Sequence, residues 1–274
     1  MNLEGLIDFA GITDVGQVRS HNEDAINYHP GMGIAVLADG MGGHNAGEVA
    51  SAIAITTIVE EIQSQIGKFE PGQVDEKSGY TYETLLARNA VRKANHAIYT
   101  AAREKPQYNG MGTTLVMAMF YDNRMTIANV GDSRLYRMRE DSLDQVTIDH
   151  TLLQELVDRG FYTLEEAQKT VNRNVVTRAL GIEADVEVDV HEEAVAPGDT
   201  YLLCSDGLND MAENEEISSI LLESGEELEK TATSLVQLAN NKGGRDNISV
   251  ILCRPLKPFP ASKGIFKRLI DWFS

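Results

Sequence analysis

Cysteine is almost missing from this chain of 274 residues: only Cys204 and Cys253 occur, each inside an apolar run. Two thiols so placed exclude a disulfide framework and a thiolate metal site, and they fit a reducing cytoplasm. Basic residues are scarce as well. Against 42 Asp and Glu stand 24 Lys and Arg, a formal charge of −18, which is the wrong field for a general nucleic-acid binder. No stretch approaches the roughly 18 apolar residues of a membrane span. The N-terminal MNLEGLIDFAGITDVG lacks the basic-then-apolar order of a secretion signal. Fixed-period repeats and low-complexity tracts are absent too. What is present is ordinary globular usage, 42% hydrophobic and 24% charged, in a chain long enough to bury one large core.

Hydrophobic spacing predicts strands over 9–13, 25–28 and 33–38, the last (GIAVLA) apolar throughout and stopping at Asp39-Gly40. Helical spacing follows over 45–66 and 82–103, with a polar Gly-rich loop between. Strands over 113–121, 125–130, 135–138 and 145–148, with turns at Asp122-Asn123 and Gly131-Asp132, read as an antiparallel meander. Residues 151–180 read as a flap-like insertion carrying two short helices, the second opened by the capping box TLEE at 163–166. Strands over 186–190, 200–204 and 248–253 and helices over 213–222 and 226–241 complete the chain. Strands and helices in separate layers argue for an α+β fold. One domain over 1–254 is expected, with 255–274 as a tail. Within that tail, 264–274 (GIFKRLIDWFS) has amphipathic helical spacing, and docking on its own domain is favoured over a membrane or partner contact.

The acids are where chemistry enters. Asp39 and Asp206 each end an apolar run in an Asp-Gly pair, Asp246 precedes the last strand, and Glu23 and Asp24 precede an early one. A carboxylate on a desolvated strand end must be paired, hydrogen-bonded or bound to a cation, and an adjacent glycine lets the backbone carbonyl approach an ion. Taken alone, each of these acids reads more readily as turn chemistry. Five converging on one sheet edge would repel strongly, and hard cations are the natural remedy. With neither a His-x-x-x-His nor a Cys pair, Mg²⁺ or Mn²⁺ is expected over Zn²⁺. Cys204 reads as a buried, inert thiol.

Six motifs, RSHNED at 19–24, ADGMGG at 38–43, GMGTT at 110–114, NVGDSR at 129–134, SDGLND at 205–210 and GRDNIS at 244–249, resemble in this order those of the metal-dependent Ser/Thr protein phosphatases, the protein phosphatase 2C or PPM family, bacterial type. The resemblance spans about residues 9–254. It implies a four-layer αββα sandwich of two antiparallel sheets, and two metal ions with a weaker third. Asp39 would bridge two ions, and the Gly40 carbonyl would bind one of them. Asp206 and Asp246 would hold the first ion and Glu23 the second, while Asp24 would hold metal-bound water. Arg19 would grip phosphate, Asp132 and Asp210 would hold the third ion, and Asn247 would support Asp246.

The activity implied is hydrolysis of phosphoserine and phosphothreonine in proteins by a monomeric cytoplasmic enzyme opposing a Ser/Thr kinase. The alternative is a phospho-dependent binding module or pseudophosphatase on the same fold, against which the retained acids argue. Where animal members carry His after Asp-Gly this chain has Met41, so the group that protonates the leaving alkoxide is unassigned; His44 is a candidate. Asn172, Arg173, Asn174 and Arg178 are candidates for substrate contact from the flap.

Overall fold

The computed structural model describes residues 2–43, 46–172, 175–223 and 227–261. His44, Arg173, Asn174 and the amphipathic stretch 264–274 lie outside them. The elements run β1 (Ile7–Asp14), β2 (Asp24–His29), β3 (Ile34–Met41), α1 (Ala46–Gln65), α2 (Tyr82–Glu104), β4 (Gly112–Thr113), β5 (Leu115–Tyr121), β6 (Arg124–Val130), β7 (Arg134–Arg139) and β8 (Ser142–Gln145). They continue with α3 (Leu152–Asp158), α4 (Leu164–Thr170), β9 (Asp189–Ala194), β10 (Thr200–Cys204), α5 (Asp206–Asn209), α6 (Asn214–Glu223), α7 (Leu228–Asn241) and β11 (Ile248–Pro255).

Strand β3 explains the layering. Its side chains alternate between two faces, and both faces are buried. Ile34, Val36 and Ala38 pack with α1 and α2 residues such as Ile58, Ile62, Val91 and Ile98, whereas Ala35 and Leu37 pack with Phe9, Leu203 and Ile251 of the facing sheet. A third cluster places Leu202, Val250 and Leu252 against Leu235, Val236 and Ala239 of α7. The order is therefore helix, sheet, sheet, helix. One sheet runs β1-β11-β10-β7-β8 and the other β2-β3-β5-β6-β9, with β4 paired to β3; the pairs are antiparallel.

Four local expectations are corrected. The run GIAVLA does not stop at Asp39: β3 continues to Met41, because Gly40 and Met41 pair with Thr113 and Gly112 of β4. The meander is broken at Gly131-Asp132, where the chain crosses from one sheet to the other between β6 and β7 instead of turning a hairpin. β8 begins three residues early, at Ser142, and β9 lies three residues late, at Asp189. β9 is an edge strand whose acids are spent on partners, Glu193 on Arg137 and Glu192 on Thr81 and Thr84, so no apolar alternation marks it. Beyond β11 the chain stays on the sandwich through Ala261: Phe259 is buried beside Phe120, and the Phe259 and Ala261 N–H groups donate to Asn123 and Asp122. The capping box at Thr163 and Glu166 forms as expected. Among the described residues no helix is long and apolar enough to cross a membrane.

Candidate metal centre

Strand register brings the first acids together. Asp24 opens β2 directly opposite Asp39 on β3, so the register alone sets the two carboxyls side by side. From the facing sheet, β10 ends at Cys204 and delivers Asp206 into the first turn of α5, and the turn before β11 delivers Asp246. The crossover between sheets adds Asp132, and Asp210 follows α5. The expected acids thus meet at one end of the seam between the sheets.

Their electrostatics record the convergence. Burial first, then the charges of Asp24, Asp206, Asp132 and Asp246, pushes the Asp39 carboxyl well above the usual carboxylate range. Asp206 is raised well above it too, by burial and then by Asp132, Asp210, Asp246 and Asp24. Burial raises Asp24 and Asp132 to about 6 each. Asp24 Oδ1 and Asp206 Oδ1 are enclosed without a hydrogen-bond partner among the described residues.

A shell of hydroxyls and amides, which sequence reasoning passed over, holds these acids in place. Asp24 Oδ2 accepts from Ser205 Oγ (2.8 Å) and Ser249 Oγ (2.7 Å), so a residue of one sheet is clamped by two from the other. The backbone of Asp39 is held by Thr113 and Thr114: its carbonyl accepts from Thr113 Oγ1 and the Thr114 N–H, both at 2.8 Å. Thr114 Oγ1 is bonded in turn to Ser133 Oγ. A partial signal existed, since Ser133 adjoins Asp132 and Ser205 adjoins Asp206. Asn247 hydrogen-bonds Asp246, as the resemblance implies, and has a further task. Its side chain braces the 15–23 loop, accepting from the Glu23 N–H and donating to the carbonyls of Val15 and His21, while only its backbone N–H reaches Asp246. The glycines serve backbone contact: a methyl at Gly40 would lie 2.2 Å from the Gly47 carbonyl oxygen, and one at Gly207 would lie 1.9 Å from that of Asn247.

Arg19 donates from Nη2 to Asp246 Oδ2 at 2.6 Å, with half of its side chain exposed at the rim. Arg178 is already engaged, pairing with Asp189 at 2.7 Å and Glu187 at 3.3 Å, so it ties the flap to the sandwich. His150 supports the same junction. Its Nδ1 accepts from the Gly131 N–H, which leaves Nε2 to donate to Asp189. Cys204 is fully buried and its thiol is pushed up to about 12, an inert group as expected. From the carboxylates a cleft of about 330 Å³ runs outward between the flap helices α3 and α4 and the α5–α6 corner.

The donor set suits a hard divalent cation. It is oxygen throughout, it carries more negative charge than burial tolerates, and two of its buried oxygens have nothing to bind. Among the described residues no three His, Cys, Asp or Glu side chains stand around a single point at ligand distance.

Comparison with known proteins identifies the family. Residues 16–250 match the family model described as Protein phosphatase 2C. The chain is 38% identical over 243 residues to the serine/threonine phosphatase stp of Listeria welshimeri, covering 88% of this chain and 92% of that protein. Among solved structures it is similar to the Mycobacterium tuberculosis serine/threonine phosphatase PstP/Ppp, with a TM-score of 0.80 and 37% identity over 92% of this chain and 99% of that one. It is also similar to the catalytic domain of PstP in complex with two manganese ions, with a TM-score of 0.78 and 36% identity over 92% and 99% of the two chains.

Proposed function

The chain belongs to the protein phosphatase 2C family, and from that membership and the acid cluster we propose that it hydrolyses phosphoserine and phosphothreonine in proteins with Mn²⁺ or Mg²⁺. The observation that carries this reading is the meeting of carboxylates from both sheets at one seam, with two oxygens left unpartnered. Asp39, Asp206, Asp246, Glu23 and the Gly40 carbonyl would hold two ions, with Asp132 and Asp210 at a third. Bound ions there supply an acidified water and offset charge on the phosphoryl oxygens.

The chain's own groups do the rest. Arg19 presents a planar fork of donors at the rim, matched to phosphate oxygens, and exchanges its bond to Asp246 for one to substrate. Asp24 is fixed by Ser205 and Ser249 through Oδ2, which leaves Oδ1 to accept a hydrogen bond from the attacking water and orient it. The hydroxyl shell keeps the carboxylates from relaxing apart, so little reorganisation remains for the reaction. The same reading makes the protein the monomeric cytoplasmic counterpart of a Ser/Thr kinase. Phosphorylated proteins are the substrates.

Turnover of p-nitrophenyl phosphate and of a phosphothreonine peptide should require added Mn²⁺ or Mg²⁺, and chelation should lower it by at least ~10³-fold. Full turnover in EDTA, or none with either metal, refutes the proposal. Arg19→Ala should raise KM by about tenfold with a smaller change in kcat, since it removes a charge-assisted fork from bound phosphate. An unchanged KM takes Arg19 out of substrate binding.

A further inference from the structure

The cleft leading away from the acids is lined unevenly, and its outer wall has no task in the reading above. Two of its carboxylates, Glu213 and Glu215 at the start of α6, are exposed, and among the described residues no hydrogen bond or ion pair occupies either side chain. Among the described residues the cleft's one cation is Arg134, and it is neutralised within the fold. It is locked onto Asp149 by three contacts of 2.7 to 3.0 Å and donates its remaining nitrogen to Tyr136. The opposite wall comes from the flap, where Gln154, Leu164 and Gln168 face the cleft and Leu164 is half exposed. At about 330 Å³ the space suits one or two side chains of an extended segment, at the low end of binding-site volumes.

This arrangement sets a requirement on the substrate. A phosphate dianion approaching a chain of formal charge −18 is repelled until it reaches Arg19 and the bound ions. A positive charge carried by the same substrate a few residues away meets Glu213 and Glu215 and offsets that repulsion. We infer that the outer cleft is a specificity site that takes a Lys or Arg side chain flanking the phosphorylated residue, so that the preferred substrates are phosphoprotein segments with basic flanks. This rests on the phosphatase reading and adds the substrate class to it.

The test compares two phosphothreonine peptides, alike except that arginines on both sides of the phosphothreonine in one are glutamates in the other, together with p-nitrophenyl phosphate, which has no flank. With Mn²⁺ at ordinary ionic strength, kcat/KM should favour the basic peptide by roughly tenfold, as expected for two exposed charge contacts plus relief of like-charge repulsion. The Glu213→Gln/Glu215→Gln variant should bring the ratio to within about twofold, and added salt should compress it in the wild type. Turnover of p-nitrophenyl phosphate should be the same in both proteins. Equal use of the two peptides by the wild type, or a preference that survives in the variant, overturns the inference and leaves the phosphatase reading standing. Failure to hydrolyse any of the three substrates overturns the phosphatase reading, and the inference with it.

Discussion

Asp39→Asn is expected to abolish turnover and, at the same time, to raise the melting temperature of the metal-free protein. The loss of activity should be on the order of 10³-fold or more, since the carboxylate proposed to bridge two ions becomes a neutral amide. The gain in stability follows from the buried repulsion. Asp39 and Asp206 are held well above the ordinary carboxylate range, and Asp24 and Asp132 at about 6. Between about pH 4, where these groups titrate in the unfolded chain, and their folded values, the native state binds more protons than the unfolded state. Stability of the metal-free protein should therefore rise as pH falls from 8 toward 5, and be lost as pH climbs through the folded values. Asp39→Asn removes one charge from the cluster, so it should flatten that slope and melt higher without metal. It should also lose most of the rise in melting temperature that Mn²⁺ gives the wild type. Calorimetry at pH 5 and 8, with and without Mn²⁺, reads all of this. A variant that melts lower at pH 8 without metal would show that Asp39 stabilises the fold and is not strained by its neighbours.

The second large effect is steric. Gly207→Ala places a methyl 1.9 Å from the Asn247 carbonyl oxygen and 2.9 Å from its carbon, with backbone on both sides of the clash. Neither chain can yield without displacing Asp206 or Asp246, its immediate neighbours. The substitution should cost at least about 3 kcal/mol and lower the melting temperature by about 10 °C. Gly43→Ala, where an added methyl meets nothing within 4 Å among the described residues, should stay within about 0.5 kcal/mol. Equal behaviour of the two variants in thermal melts would remove the packing argument.

That clash shows how much of the site was legible in the residues. Asp39, Asp206 and Asp246 stood out because each abuts an apolar run that can only be a buried strand, and a charge there demands a partner. The glycines stood out as well, but the reason read from them was approach to an ion, whereas the structure uses Gly40 and Gly207 to bring backbones together. Runs such as GIAVLA showed buried strands and an α+β class, while the order of the layers came from the resemblance. The crossover at Gly131-Asp132 was hidden because Gly-Asp between two strands has the same local chemistry whether the chain returns in its own sheet or crosses to the next. Asn247 and the hydroxyls of Ser205, Ser249 and Thr113 act across 74 to 232 residues of sequence, a range no local pattern reports.

The clamp of Asp24 by Ser205 and Ser249 carries one more consequence. These bonds cross from one half of the sandwich to the other at the very place where negative charge is densest. Starvation for manganese would thus do more than idle the molecule: its halves would part there first, and amide hydrogen exchange should quicken at the strand tips around Asp24 and Ser249 before it does so at the far ends of the same strands.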